Sequence, residues 1–299
     1  MINVKHISSP ENSKFKNWNK LIQRKYRDRE GLFLIEGELL IKDAIGSGGI
    51  IKELIVSSYE EEPSLAIQGI LDFISETRAF PEVYMLSGEL FEKLSQTEHG
   101  RLIIGVFEKP KDDASKLSFS RKAGISEESK ERANPKTDNV LVLDGIQDPG
   151  NMGTLIRTAD AAGFGLVIIL KGSVDPFSPK VVRAAAGSLM RLPIIKAEDV
   201  KELEGILRRN FFFDEGRKLK IIATGLSSDK SLWDLEIKNE SEGYAIVIGN
   251  EGNGVSKELL EMADEVIKIP MFGEIESLNA GVSGAIVMYE IIRQQNSFR

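Results

Sequence analysis

Residues 140–153 read VLVLDGIQDPGNMG, four apolar residues followed by a polar, glycine-containing loop. The run Val140 to Leu143 has the length and composition of a buried strand. Pro149 and Gly150 force a turn, and Asn151 is well placed to cap the helix that the following small and apolar residues predict. The stretch therefore predicts a strand, a polar loop and a helix in direct succession.

The strand–helix pattern recurs through the rest of the chain. Helical segments separate further apolar runs at Leu166 to Leu170, Leu192 to Ile195, Leu219 to Thr224, Tyr244 to Ile248 and Val266 to Ile269. Such alternation predicts an α/β fold with a largely parallel sheet that is covered on both faces. Ligands of such sheets bind at the carboxyl ends of the strands, so we expect the functional loops there.

A smaller α/β pattern occupies the first part of the chain. Apolar positions recur at helical spacing from Ser13 to Tyr26. After this segment, strands are predicted at 32–35, 51–57, 83–86 and 102–107. Helices are predicted at 38–45, 65–76 and 88–94. From Glu108 to Asp138 the sequence is rich in Lys, Asp, Ser, Glu and Pro and has few large apolar residues. We therefore predict a domain over 1–107, a linker over 108–139 and a second domain over 140–299.

Composition limits the chemistry. The chain has no cysteine and only two histidines, His6 and His99, so disulfides, thiolate nucleophiles and cysteine-ligated zinc are excluded. With 41% hydrophobic and 28% charged residues it has the composition of a soluble globular protein. The first twenty residues lack an apolar signal region and no run of about 18 apolar residues follows, which favours a cytoplasmic protein.

A local basic segment stands out against the net charge of −7. Residues 1–30 hold eight Lys or Arg against three acids, a local charge of +5, with Phe15, Trp18 and Tyr26 interleaved. Such a segment can bind phosphates and stack on bases, whereas the alternative is a solvated amphipathic helix with Trp18 facing inward. The candidate RNA-binding side chains are Lys14, Lys16, Arg24, Lys25 and Arg27.

Two more loops follow predicted strands of the second domain. Residues 249–254, GNEGNG, hold three glycines in six positions, which lets the backbone approach a ligand closely. This loop fits neither the dinucleotide fingerprint nor the lysine-bearing phosphate loop. Residues 269–285 form a strand end, a loop and a helix of small residues, for which tight helix packing is the simplest explanation.

Arg157 is the most suggestive single residue. It lies about one and a half turns into a helix that is otherwise made of small and apolar residues. An arginine near a helix N-terminus at the carboxyl edge of a sheet is well placed to bind an anion, because the helix dipole and the guanidinium group both favour negative charge. We therefore expect Arg157 to clamp a phosphate.

The three loops, in this order, resemble the SpoU/TrmH family of tRNA and rRNA 2′-O-ribose methyltransferases. The matching motifs are Asn151-x-Gly153-x3-Arg157-Thr158-Ala159, Ile248-Gly249-Asn250-Glu251-Gly252-x-Gly254, and Ile269-Pro270-Met271 with Glu276-Ser277-Leu278-Asn279. Upstream, Ile7-Ser8-Ser9, the basic helix and the run from Phe33 to Glu38 resemble the small RNA-binding domain of rRNA-directed members. Gly281 is a departure, since many members carry a serine there.

The resemblance implies a SPOUT-type catalytic domain with a deep trefoil knot, S-adenosylmethionine as methyl donor, no metal, and a homodimer that completes the active site. It implies a catalytic set of Arg157, Asn151, Glu251, Ser277 and Asn279, and a cofactor set of Thr224, Gly225, Leu226, Ile248, Gly249, Gly252, Ile269 and Leu278. A guanidinium stays protonated in proteins, so we expect Arg157 to orient phosphate and ribose rather than to accept the proton.

The expected activity is S-adenosylmethionine-dependent 2′-O-ribose methylation of RNA, with 23S ribosomal RNA as the favoured substrate. Four alternatives remain at this point: ribose methylation of tRNA, methylation of a base nitrogen or another RNA atom, a catalytically inactive RNA-binding ribosome-assembly protein, and a nucleotide-binding enzyme of Rossmann type. The absence of serine at Gly281 allows the inactive protein, whereas the retained polar residues Arg157, Glu251, Ser277 and Asn279 argue against it. The Rossmann alternative is disfavoured, because the sequence lacks the glycine fingerprint that such a fold carries after its first strand.

Overall fold

The computed structural model describes residues 4–58, 65–77, 79–97, 102–110, 138–185, 187–211, 219–237 and 243–296. The chain divides into two compact units. Unit 1 comprises Met1–Lys111 with Asp175–Arg191, and unit 2 comprises Asp112–Val174 with Leu192–Arg299. Most of the predicted linker, residues 111–137, lies outside the described residues.

Unit 1 is built on a mixed sheet of five strands. The strands are β1 (Val4–Ile7), β2 (Leu32–Glu36), β3 (Ile51–Ser57), β4 (Glu82–Leu86) and β5 (Ile103–Glu108), in the spatial order β1-β4-β3-β5-β2. β4 pairs in parallel with β1 and β3, while β5 pairs antiparallel with β3 and β2. The short strand β1 is not among the predicted strands, because only four residues of mixed polarity form it.

Helices cover this sheet on both faces. They are α1 (Ser13–Lys20), α2 (Arg24–Glu30), α3 (Glu38–Gly46), α4 (Leu65–Thr77) and α5 (Gly88–Leu94). The helical run predicted from Ser13 to Tyr26 is thus two helices, separated by a turn at residues 21–23. Trp18 and Leu21 are buried with α5 against the sheet, as the amphipathic interpretation expected.

Residues 175–191 belong to unit 1 and form α7 (Pro179–Ala185) and α8 (Ser188–Arg191). Asp175 accepts hydrogen bonds from Arg27 Nε at 2.9 Å and Nη2 at 2.7 Å, and both side chains are buried. Phe177 packs on Phe33 with ring centroids 5.1 Å apart. These contacts explain why a segment expected in the second domain clusters with unit 1.

Unit 2 contains a six-stranded sheet in which every pairing is parallel. Its strands are β6 (Val140–Leu143), β7 (Leu166–Leu170), β8 (Ile194–Ala197), β9 (Leu219–Thr224), β10 (Gly243–Ile248) and β11 (Glu265–Ile267), in the order β11-β9-β10-β6-β7-β8. Each lies at or within two residues of a predicted run. The predicted parallel α/β architecture is confirmed.

Both faces of this sheet are buried. On one face, alternate strand residues such as Val142, Ile168 and Val247 pack with α9 (Val200–Phe211) and α10 (Lys257–Met262). On the other, α6 (Pro149–Ala161) and α11 (Ala280–Asn296) pack together, and α11 contacts β10. Among the described helices, none combines the length and apolar character needed to span a bilayer.

Candidate active site

The candidate site lies at the carboxyl ends of the central strands of unit 2. β6 is the first strand of this sheet and lies between β7 and β10, so the chain runs outward from it on both sides. In open parallel sheets, the crevice at such a reversal of strand order is where ligands bind. The loop after β6 and the loop after β10 flank this crevice, as the parallel pairing of the two strands requires.

Four hydrogen bonds join these two loops. The backbone N–H of Asp144 donates to Ile248 O at 2.9 Å, and the Asp144 carboxylate accepts from the N–H of Ser256 at 2.7 Å. The side chain of Asn250 donates to Gly145 O at 2.8 Å. The fourth bond runs from Asn151 Nδ2 to Glu251 Oε1 at 2.7 Å. The structure therefore brings together two of the predicted catalytic residues, Asn151 and Glu251.

The cap of helix α6 differs from the prediction. Asp148, not Asn151, is the N-cap: its Oδ1 accepts from the N–H of Asn151 at 2.8 Å. Pro149 then occupies the first helical turn, where its missing N–H costs nothing. Asn151 is thus released from capping, and its buried side chain is directed to Glu251. The Asp-Pro pair is the signal in the sequence that could have identified this cap.

The glycine loop after β10 is closed by backbone contacts. Asn250 and Gly254 exchange two backbone hydrogen bonds of 3.0 and 2.9 Å, and Asn250 Oδ1 accepts from the N–H groups of Gly252 and Asn253. A Cβ added to Gly249 would lie 2.2 Å from Gly254 C and Val255 N. Gly249 is therefore required by a close backbone approach, and Asn250 organises the loop although it was absent from the predicted site.

Arg157 lies on the exposed side of α6. Among the described residues it has no hydrogen-bond or ion-pair partner, and its neighbours Leu155 and Ile156 are buried. It follows Asn151 by six residues, which is about 9 Å along the helix axis. Its guanidinium is thus anchored on a buried helix but left open to solvent, as a group that receives an anion must be.

The third loop meets α6 at the start of α11. Asn279 caps α11, since its backbone oxygen accepts from Ser283 N at 2.9 Å and its Oδ1 accepts from Val282 N at 3.3 Å. A Cβ at Gly281 would lie 3.2 Å from Thr154 Cβ and 3.1 Å from Asn279 Oδ1. Gly281 therefore lies against both Thr154 and the side chain of Asn279, and Thr154 precedes Arg157 by one helical turn. Ser277 is exposed in the same loop.

The predicted cofactor residues lie at the ends of β9, β10 and β11, except Leu278, which lies just before α11. Thr224 Oγ1 donates to Val247 O at 3.2 Å, and Gly225 N donates to Ile267 O at 2.9 Å, so the end of β9 is tied to both neighbours. Leu226, next in the chain, is 69% exposed. Ile269 and Leu278 are half-buried. Apolar surface beside glycine backbone fits a ligand with an aromatic ring and a polar rim.

An ion-pair cluster supports the strand before the third loop. The Glu265 carboxylate contacts the ammonium groups of Lys220 and Lys230. Burial on its own would raise the pKa of Glu265, but hydrogen bonds from the two lysines outweigh it and lower the pKa below the usual carboxyl range. The cluster thus holds β11 against β9 with charged groups at neutral pH.

Of the five predicted RNA-binding side chains of unit 1, one is buried, three are exposed and one is half-buried. Arg27 is 3% exposed and paired with Asp175, so its guanidinium is not available to a phosphate, and its prediction as an RNA contact is wrong. Arg24 and Lys25 are exposed on α2, and Lys16 is exposed on α1, where it contacts Glu11.

Lys14 is half-buried and is held by Glu53, with Glu82 at 3.5 Å. Although burial opposes the charged form, hydrogen bonds with Glu53 and Tyr84 raise the pKa of Lys14. Hydrogen bonds from Lys5 and Tyr84 lower the pKa of Glu82 to about 2.

In the described ranges, no three His, Asp or Glu side chains come together as a metal-binding group.

Two family models match the chain. The model of the SpoU rRNA methylase family matches residues 138–289, which include every loop of the candidate site. The model of the MRM3-like substrate-binding domain matches residues 12–105, which include the basic helices and most of the mixed sheet of unit 1.

Similar proteins cover nearly the whole chain. The 23S rRNA (guanosine(2553)-2′-O)-methyltransferase RlmP of Bacillus subtilis is 35% identical over 292 residues, 96% of this chain and 99% of that protein. The crystal structure of the SpoU methyltransferase AviRb from Streptomyces viridochromogenes with AdoMet aligns at a TM-score of 0.79, with 26% identity over 97% of this chain and 100% of that one. An AdoMet-bound rRNA methyltransferase from Sinorhizobium meliloti aligns at 0.77, with 26% identity over 97% and 98% of the two chains.

Proposed function

The chain belongs to the SpoU rRNA methylase family, and on that premise we propose that it transfers a methyl group from S-adenosylmethionine to a ribose 2′-hydroxyl of 23S ribosomal RNA. The observation that carries the proposal is the Asn151–Glu251 hydrogen bond, which joins two family motifs at the sheet crevice, on the helix that also carries the exposed Arg157. The name of the Bacillus subtilis relative makes a guanosine the first nucleotide to test.

Methyl transfer to a hydroxyl needs a positioned nucleophile, and the proton that the hydroxyl loses passes to the solvent to which this end of the sheet is open. In this proposal Arg157 binds the RNA phosphate beside the reacting ribose and fixes the hydroxyl in line. The buried helix beneath it supplies rigidity, since the α6 residues on either side pack in the core. Glu251, Ser277 and Asn279 are exposed polar groups at the same end of the sheet and complete the polar surface for the ribose.

The donor would bind at the ends of β9, β10 and β11. The proposed cradle offers apolar side chains to the adenine ring and backbone groups to its polar edge. It consists of Thr224, Gly225, Leu226, Ile248, Gly249, Gly252, Ile269 and Leu278. When bound, S-adenosylmethionine supplies an electrophilic methyl group on a sulfonium. The closed glycine loop fits this task, because Gly249 lets the loop fold back on itself and so holds its backbone groups in place at the end of β10.

We assign RNA recognition to the domain of residues 1–107, followed by a linker over 108–139 and the methyltransferase domain over 140–299. A trefoil knot formed by the last loops is part of the proposal, supported by the membership in the family and by the packing of α11 on α6. The cytoplasm is the proposed compartment, because ribosomal RNA is the substrate.

A homodimer is also proposed. Val282 and Tyr289 are 47% and 51% exposed, and their spacing of seven residues places them on one face of α11. An exposed apolar helix face beside the active site suits a two-fold interface. Light scattering at micromolar concentration is expected to give twice the mass of the chain, and a monomer would contradict the dimer.

The test of the function uses ribosomal RNA from a strain that lacks the gene. Purified protein and S-adenosylmethionine should restore one ribose methylation in 23S RNA, located by mass spectrometry of nuclease fragments. Wild-type RNA, already modified, is the matched control and should accept little methyl. Methylation of a base, or of tRNA alone, would refute the proposal.

A further inference from the structure

Unit 1 contains a cavity of about 170 Å³ at the turn between α1 and α2. Its apolar lining includes Trp18, Tyr26 and Leu32. A cavity of roughly 150 Å³ is large enough to hold benzene, so this volume admits one planar heterocycle. The cavity lies outside the candidate active site, and of the five RNA-binding side chains predicted from the sequence Lys14 lines it.

Cations surround the aromatic wall of the cavity. Lys20 Nζ lies 5.8 Å and Arg29 Cζ 4.9 Å from the ring centroid of Tyr26, and all three residues line the cavity. Within the described residues Lys20 pairs with no carboxylate, while Arg29 pairs with its neighbour Glu30 at 2.6 Å. Exposed ion pairs of that kind are weak, so an incoming phosphate can displace Glu30.

Two carboxylates add acceptors to the lining. Glu53, on β3, accepts hydrogen bonds from Lys14 and from the indole N–H of Trp18. Glu30, the last residue of α2, also lines the cavity. A carboxylate has about four acceptor positions and no donor. The lining therefore favours a ring that presents N–H donors, such as a base with an exocyclic amino group.

The cavity wall is held rigidly by the buried Arg27. Its Nη1 donates to Leu21 O at 2.8 Å and to Ile22 O at 2.6 Å, while Nε and Nη2 bind Asp175. Arg27 thereby fixes the turn that joins α1 to α2 and the helix that carries Tyr26 and Arg29. Such preorganisation lowers the entropy lost when a ligand binds.

We propose that this cavity binds one unpaired nucleotide of the RNA substrate, with its base beside Tyr26 and its phosphate on Lys20 and Arg29. The proposal rests on the function proposed above and names a site by which unit 1 recognises a single-stranded element. Adenine, cytosine or guanine fits the acceptors better than uracil, which has no exocyclic amino group.

The test exploits the position of Trp18. The chain has two tryptophans, so the full chain with Trp233→Phe leaves Trp18 as the only indole. Single-stranded cytidine and adenosine hexamers should quench its fluorescence, and a uridine hexamer should bind roughly fivefold or more weakly. Absence of quenching, or equal affinity for all three hexamers, would overturn the proposal.

Variants in the same background locate the contacts. Tyr26→Ala should weaken hexamer binding about tenfold. Lys20→Ala, an exposed substitution that leaves the core intact, should lower the salt slope of log affinity by about 0.7. Lys93→Ala, an exposed lysine of α5 outside the cavity, is the control and should change neither. Wild-type affinity and salt slope in both cavity variants would overturn the proposal.

Methyl transfer to ribosomal RNA, measured in parallel, separates this proposal from the function. If the wild-type chain methylates the RNA but the hexamers do not reach Trp18, the cavity proposal alone is refuted. If the hexamers bind as expected and no RNA is methylated, the proposed function fails and the nucleotide site stands.

Discussion

Asn151 donates a 2.7 Å hydrogen bond from its side-chain amide to Oε1 of Glu251, one hundred residues further along the chain. Asn151 is 7% exposed, whereas Glu251 is exposed. The buried amide thus holds a solvent-facing carboxylate at the mouth of the crevice. The bond depends on Asp148, which caps the helix and leaves the Asn151 side chain free to reach across.

A double-mutant cycle tests this bond. Asn151→Ala and Glu251→Ala should each lower the free energy of unfolding, and the double variant should lose less than the sum by about 1 kcal/mol, because either change already breaks the same bond. Urea unfolding of the four proteins measures the coupling. Strictly additive losses would show that the two side chains act independently.

Gly249→Ala should abolish S-adenosylmethionine binding. The added Cβ would lie 2.2 Å from backbone atoms of Gly254 and Val255, so the loop after β10 must open. Calorimetry with cofactor measures the effect. Gly205→Ala on α9, whose Cβ would meet only Arg209 Nη2 at 4.0 Å, is the matched control and should bind normally. Wild-type affinity in Gly249→Ala would mean that the loop does not form the cofactor site.

Arg27→Met should destabilise the chain by about 3–5 kcal/mol, because Asp175 loses its ion pair inside the protein. Arg27→Met with Asp175→Leu should recover much of this loss, since no charge is then stranded. Lys25→Ala, an exposed change on the same helix, should stay within about 0.5 kcal/mol of wild type. A double variant no more stable than Arg27→Met would contradict the ion-pair explanation.

Acid should weaken the ion-pair cluster at Glu265. Its pKa is lower in the folded chain than in the unfolded chain, so the stabilisation is complete above the ordinary carboxyl pKa of about 4.3 and disappears as the pH falls through the folded value. Glu265→Gln should therefore be less stable than wild type at pH 7, and the difference should shrink as the pH falls below the ordinary carboxyl range. A difference that stays constant with pH would exclude this linkage.

Much of the fold could be predicted because the strands of unit 2 are continuous apolar runs. Buried parallel strands have this composition, and Val140–Leu143 and Leu166–Leu170 were predicted to the residue. Strand β1 could not be predicted, since Lys5 and His6 interrupt the apolar pattern and the strand exists only through pairing with β4.

The sequence motifs predicted the candidate site, and the errors of that prediction have physical causes. The helix cap was placed at Asn151 because asparagine is a good cap, although Asp148 before Pro149 fits better. Arg27 was read as a surface cation, since nothing in a basic segment reveals an aspartate 148 residues away. Gly281 departs from the family pattern where a Cβ would crowd Thr154, a contact visible only in the folded chain.

In the proposed mechanism Arg157 holds the RNA rather than the methyl donor. The most direct measurement is single-turnover methylation of unmodified 23S RNA by Arg157→Ala at saturating S-adenosylmethionine. Arg157→Lys tests whether the planar guanidinium group is needed in addition to its charge. Arg208→Ala, at an exposed arginine of α9 that pairs with Glu204, is the control. Circular dichroism establishes that each variant is folded.

We predict that Arg157→Ala binds S-adenosylmethionine with nearly wild-type affinity and transfers methyl at least about a hundredfold more slowly, the scale of losing a charged positioning contact. Arg157→Lys should recover little of the rate, and Arg208→Ala should match wild type. A folded Arg157→Ala that methylates 23S RNA at the wild-type rate would contradict the proposed role of Arg157.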